Sequence, residues 1–304
     1  MQGIAETVVA MTALIAATTW SASLVRAAPD VKSLPLGDGH VSTSPVVGSV
    51  WSCQTTFSGG GAFADGPWIK GDGTFDYTAK AVVDGQVSWS RQWTATLSGS
   101  TRAITGNALP NHTTGTYPIS STDDAYLYDR NPNRISAQSL SLNLPATPYV
   151  ASQSSCLPMG QIGVLLTGSP FFNALDALGR DAVAHEVQDA CGGHPERSGV
   201  YHYHNLSDCL TDAGTDHSAL VGYAFDGFGI YGHRGEGGTV LANSDLDACH
   251  GHTHTIQWDG QSVSLYHYHA TWEYPYTLGC FRGPYGANTT PAGTNTPTPT
   301  ATPT

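Results

Sequence analysis

Asp189-Ala190-Cys191-Gly192-Gly193-His194, followed by Tyr201-His202-Tyr203-His204, decides how this chain is read, because both segments return. Asp247-Ala248-Cys249-His250-Gly251-His252 repeats the first, and Tyr266-His267-Tyr268-His269 repeats the second. Each pair closes on a further cysteine, Cys209 and then Cys280. Upstream, Ile162-Gly163-Val164-Leu165-Leu166-Thr167-Gly168 corresponds to Val221-Gly222-Tyr223-Ala224-Phe225-Asp226-Gly227. The offset is 59 residues at these openings and 58 at the cysteines. Residues 160–286 therefore read as an internally duplicated His/Cys-rich core, two units packed about a pseudo-two-fold axis.

The alternation inside Tyr-His-Tyr-His is the second deduction. Side chains of a strand point to opposite faces in turn, so His202 and His204 share one face while Tyr201 and Tyr203 share the other. The same holds for His267 and His269 against Tyr266 and Tyr268. Adding the histidine of each Cys-x-x-His gives two sets, His194, His202, His204 and His252, His267, His269. Three imidazoles leave a coordination position open, as a catalytic ion needs. All-nitrogen ligation suits copper or zinc. The expected function is a metal-binding protein, or a metalloenzyme activating water or dioxygen, with both sets facing a common cavity. Asp226 has no acidic counterpart in the first unit and is the candidate catalytic carboxylate; the competing reading makes it a turn residue before Gly227. His112, His185, His217, His233, His250 and His254 have no assigned role at this level.

The rest of the chain sets limits. Asp and Glu number 24 against 12 Lys and Arg, a net charge of −12, which argues against nucleic-acid and anionic-membrane partners. The 35 Gly and 18 Pro favour turn-rich, mainly β structure with few short helices. Residues 1–28 read as a secretory signal whose removal leaves no membrane insertion, and 29–49 as a polar leader. Residues 50–159 form an N-terminal β-rich part, and 287–304 a Thr/Pro-rich disordered tail. Secretion favours disulfides over thiolate ligation for the six cysteines, and nearest-neighbour closure pairs Cys191 with Cys209, Cys249 with Cys280, and Cys53 with Cys156. Asp84-Gly85 signals a hairpin, Thr74–Thr78, Gln86–Ser90 and Leu140–Leu144 alternate as strands, and 173–188 is the best helix candidate. Trp51, Trp68, Trp89 and Trp93 are expected in the core; exposed, they would serve a carbohydrate-binding module instead. A non-enzymatic surface module with structural histidines is the alternative function.

The Tyr-His-Tyr-His runs, Cys-x-Gly-His, Asp226-Gly227-Phe228-Gly229-Ile230-Tyr231-Gly232 and Tyr274-Pro275-Tyr276-x-x-Gly279-Cys280 resemble the YHYH-domain proteins. The resemblance spans about residues 50–286 and includes the loop Gly106–His112. Gly229 stands where that family's pattern has proline. The resemblance implies a secreted protein and names no activity.

Overall fold

The computed structural model describes residues 28–285, so the candidate signal and the Thr/Pro tail lie outside the described residues. The chain is mainly β. Among the described residues the α-helix is a single turn, α1 (Ala182–His185), with Asp181 capping the backbone N–H groups of Val183 and Ala184. Strands β1 (Leu34–Pro35), β2 (Val41–Ser42), β3 (Val50–Trp51) and β4 (Thr74–Phe75) are two-residue pairings, β1 with β4 and β2 with β3. β5 (Trp93–Ser98), β6 (Thr101–Gly106) and β7 (Leu140–Pro145) form an antiparallel sheet.

The histidine-rich region builds the main sheet. Its strands are β8 (Gln161–Leu165), β9 (Pro170–Phe172), β10 (Gly193–Pro195), β11 (Tyr201–Tyr203), β12 (Leu220–Ala224), β13 (Gly229–Tyr231), β14 (Gly251–Trp258) and β15 (Gln261–His269). They lie in the order β10-β11-β9-β8-β12-β13-β15-β14. From either edge the plan is the same: an antiparallel pair, a parallel step inward, then an antiparallel hairpin to the centre. At the centre β8 and β12 run antiparallel with Val164 opposite Tyr223, flanked by Gly222 opposite Leu165 and Ala224 opposite Gly163. The two glycines are required there. A Cβ on Gly163 would sit 2.6 Å from the Tyr223 carbonyl oxygen, and one on Gly222 would sit 2.6 Å from that of Val164.

All three disulfides form as expected: Cys53–Cys156, Cys191–Cys209 and Cys249–Cys280. Several local expectations fail. Residues 173–181 are a loop rather than the start of a helix, because the Asp176 carboxylate accepts from the N–H groups of Leu178 and Arg180 and holds the chain in a turn. Asp84-Gly85 makes no hairpin: Asp84 N–H donates to the Asp123 carboxylate, and Val83 bridges to Asp189 far along the chain. After Phe75 the backbone enters a 3-10 turn capped by Asp76. Residues 86–90 contribute only the bridge of Val87 to Thr114. Among the tryptophans Trp68 is core, while Trp51, Trp89 and Trp93 are partly buried against it.

Candidate metal centres

The cross-strand register assembles each histidine set. In the β10/β11 pair His194 stands opposite His202, and in β14/β15 His252 stands opposite His267. Side chains of directly opposed residues meet on one face. Here His194 reaches the His202–His204 pair, with ring centroids 4.6 and 5.4 Å apart. His252 lies 4.9 and 5.0 Å from His267 and His269. The glycine before each leading histidine allows this approach. A Cβ on Gly193 would fall 2.3 Å from the Tyr201 ring, and one on Gly251 2.4 Å from the His267 carbonyl oxygen.

The opposite face carries the tyrosines, and a repeated carboxylate holds them. Asp189 Oδ1 accepts from the N–H groups of Cys191 and Gly193 and from the Tyr201 hydroxyl. Asp247 Oδ1 accepts from Cys249, Gly251 and the Tyr266 hydroxyl. The Asp before each Cys-x-x-His thus shapes the turn and pins the following strand. Asp226 belongs to this face as well. Fully buried, it accepts from the Tyr268 hydroxyl at 2.5 Å and from the N–H groups of Phe228, Arg282 and Gly283. Its carboxylate is consumed by these donors and stands across the strand from the histidines, so the catalytic expectation for Asp226 is replaced by an anchoring role. In the other half Tyr203 donates to the Thr167 hydroxyl at 3.1 Å.

On the histidine face the ring tautomers follow from the backbone. His202 Nδ1 lies 3.0 Å from the Val200 carbonyl oxygen and His204 Nδ1 2.5 Å from that of Asn173. His267 Nδ1 lies 3.0 Å from Leu265 O and His269 Nδ1 2.7 Å from Gly232 O. A carbonyl can only accept, so each Nδ1 carries a hydrogen, and a ring that holds only that hydrogen turns a bare Nε2 inward. Those nitrogens approach closely: His202 to His204 at 3.1 Å, and His267 to His269 at 3.1 Å. Both ring nitrogens of His194 are buried without a partner, as is His252 Nε2. Burial first, and then the neighbouring imidazoles, push His194 and His202 well below the usual histidine range. Burial likewise lowers His267 to about 3 and His252 to about 4. Neutral rings with inward lone pairs are the form in which imidazole ligates metal.

Each set has members beyond the sequence-derived triplet. His217 and His254 join the second, so that five histidines offer ligand atoms all within 4.8 Å of one another. His217 Nδ1–H donates to Ser218 O and His254 Nδ1–H to Thr255 O, leaving His217 Nε2 3.1 Å from His269 Nε2. Glu186 adjoins the first set, its Oε2 3.4 Å from His194 Nε2 and 3.3 Å from His204 Nε2. The other unassigned histidines stand apart. His112 faces the Tyr203 hydroxyl at 2.6 Å, and His185 pairs with Asp38 and Asp65. His233 stacks on Trp272, and His250 bridges the His269 carbonyl and Asn243.

The expectation of a common cavity is overturned. β11 and β15 are separated by five strand intervals of the sheet, about 24 Å at ~4.8 Å per interval. The sets are two separate centres, each able to hold an ion of its own. Comparison with curated proteins and with solved structures finds no match. The family model described as YHYH protein matches residues 141–240, a span that holds the first histidine set and His217 and stops short of β14 and β15. On that match, and on the Tyr-His-Tyr-His strand at its heart, this chain carries a YHYH domain.

Proposed function

We propose that this is a secreted metal-binding protein whose two histidine sets each take one copper or zinc ion. The observation that carries the reading is the approach of bare Nε2 atoms. When each ring holds one hydrogen, committed at Nδ1 to a carbonyl, no hydrogen is left to lie between His202 Nε2 and His204 Nε2 at 3.1 Å. Two lone pairs then face each other in a buried place, and each unsatisfied buried polar atom costs about 1–3 kcal/mol. A cation between them removes that conflict. The spacing supports it: donors about 2.1 Å from one ion lie roughly 3.0 Å apart at a right angle and roughly 3.4 Å apart at the tetrahedral angle. Fixing the ring by a carbonyl on its other nitrogen is also how proteins orient metal-bound imidazoles.

Three disulfides fit an oxidising, extracellular setting, and no helix among the described residues is long and apolar enough to cross a membrane. Elemental analysis of natively purified protein tests the reading. The His202→Ala/His204→Ala and His267→Ala/His269→Ala variants should each lose the ion of one set and keep the other. Unchanged metal content in both variants refutes it.

A further inference from the structure

The two centres differ in one respect that bears on chemistry. At the first, Glu186 Oε2 lies 3.4 and 3.3 Å from His194 Nε2 and His204 Nε2, and Glu186 lines with the three histidines a cavity of about 660 Å³. We infer that Glu186 is the fourth donor of the first centre, and that an ion held there presents an exchangeable coordination position to this cavity, where a small neutral or cationic molecule binds through a nitrogen or oxygen atom. This inference rests on the metal-binding reading and adds a ligand, a binding chamber and a division of labour between the two centres.

Glu186 immediately follows α1, whose C-terminal cap it forms. Its Oε2 is buried and makes no hydrogen bond, with the two imidazoles at 3.3–3.4 Å as its polar neighbours. The distance decides its role. At 3.3–3.4 Å from the Nε2 atoms of His194 and His204 it has the spacing of a fellow ligand to those two, while the group whose donor atoms all lie within 4.8 Å of one another is the three histidines alone. A base reaching only an ion-bound water would stand farther out by one hydrogen bond, ~2.7 Å. In the second centre His217 and His254 supply the extra donors instead. An ion that takes more than three imidazoles at the second centre has less room for an incoming molecule, whereas three imidazoles and a carboxylate leave room for expansion to five.

The chamber selects by charge and shape. Phe172 stacks on His202 with ring centroids 3.8 Å apart and gives the cavity an aromatic wall against the ion. Asp129 and Glu196 line the same cavity, with Arg197 as its basic residue, and Asp176 there is paired with Arg180 at 2.8 Å. The chain as a whole carries −12. Polyanions such as nucleotides are disfavoured on both counts, and a neutral or cationic molecule is favoured.

Cobalt(II), whose visible spectrum reports coordination number, tests this on the full chain with imidazole as the incoming probe. Cobalt should load both centres, and imidazole should change the spectrum of wild type and of His267→Ala/His269→Ala, but not that of His202→Ala/His204→Ala. Glu186→Gln, which keeps the shape, should weaken cobalt binding at the first centre on the order of 10–100-fold, the range for groups that support metal ligation. Cobalt uptake with no imidazole response, a response that survives loss of the first centre, or equal affinity in Glu186→Gln overturns the inference and leaves metal binding standing. Absence of cobalt from both centres overturns the metal reading and this inference together.

Discussion

Asp189 and Asp247 occupy the same place in a repeated motif, yet substituting each by asparagine should have very different costs. Asp189 is 4% exposed. Its Oδ1 serves Cys191, Gly193 and Tyr201, and its Oδ2 accepts from the N–H of Gly115 at 2.9 Å. In Asp189→Asn the amide oxygen best keeps the three Oδ1 bonds, which turns the NH₂ group onto the Gly115 N–H, donor against donor. A lost bond to a charged acceptor, about 1.5–3 kcal/mol, adds to a stranded buried donor, about 1–3 kcal/mol, for a total near 4 kcal/mol. At Asp247 the side chain is 40% exposed, and Oδ2 has only the guanidinium of Arg282 at 3.7 Å. The amide of Asp247→Asn turns to water there, and the cost is that of an exposed ion pair, below about 1 kcal/mol. For a chain of this size about 2–4 °C of melting temperature accompanies each kcal/mol. Asp189→Asn should therefore melt roughly 10 °C below wild type and Asp247→Asn within about 3 °C of it, by near-ultraviolet circular dichroism under non-reducing, metal-free, mildly alkaline conditions. Equal shifts would refute the claim that Gly115 makes the first turn a tertiary anchor and the second a local one.

Asp226→Ala should destabilise the protein by about 3 kcal/mol or more, since it strands the Tyr268 hydroxyl and the N–H group of Gly283, while the Arg282 N–H keeps the Tyr268 oxygen as acceptor. It should leave the metal content of both centres intact, as elemental analysis of the folded variant would check. His185 gives a pH dependence of definite sign. Burial alone would lower it, but hydrogen bonds to Asp38 and Asp65 outweigh that and leave it raised. A group whose folded value lies above its unfolded one stabilises fully below the unfolded value, ~6.5, and loses that contribution as pH rises through the folded value. Melting temperatures across this range should fall for wild type relative to His185→Gln, and parallel curves would contradict the assignment. Opening the Cys191–Cys209 bridge by Cys191→Ser/Cys209→Ser, a closure across 18 residues, should cost about 3 kcal/mol. In the same variant equilibrium dialysis should find metal affinity lowered at the first centre and unchanged at the second.

The sequence made some of this legible because a strand's two-residue period is local. Tyr201-His202-Tyr203-His204 needs no partner to declare that its imidazoles share a face, and the ring geometry agrees. The same period reaches His254, two residues beyond His252, and would have placed it in the second centre. The disulfides were readable because the cysteines pair in chain order, each with the next along. Glu186 and His217 gave no such signal. Glu186 follows a single helical turn, and His217 sits in a loop whose position is set by Ser218 donating its N–H to the Arg234 carbonyl. Such contacts exist only once the chain has folded. Leu140–Leu144 forms the expected strand, whereas Val83 and Val87 depart from the local pattern because their backbones are satisfied through isolated bridges to distant segments.

The separation of the two centres has its cause in the same order of strands. Tandem units suggest neighbours in space, and two histidine sets that are neighbours suggest a shared ion. That inference fails at β8 and β12. β8 and β12 pair antiparallel with Gly163 and Gly222 where a Cβ would fall 2.6 Å from the facing carbonyl oxygens, and the two halves of the sheet join along these strands. The hairpins from β8 to β9 and from β12 to β13, and the parallel steps from β9 to β11 and from β13 to β15, then carry the histidine strands outward in opposite directions. A shared ion would require the β10/β11 and β14/β15 pairs to be neighbours, and they lie toward opposite edges of the sheet. The joint therefore gives each centre its own surroundings: a carboxylate and a chamber for one, two further imidazoles for the other.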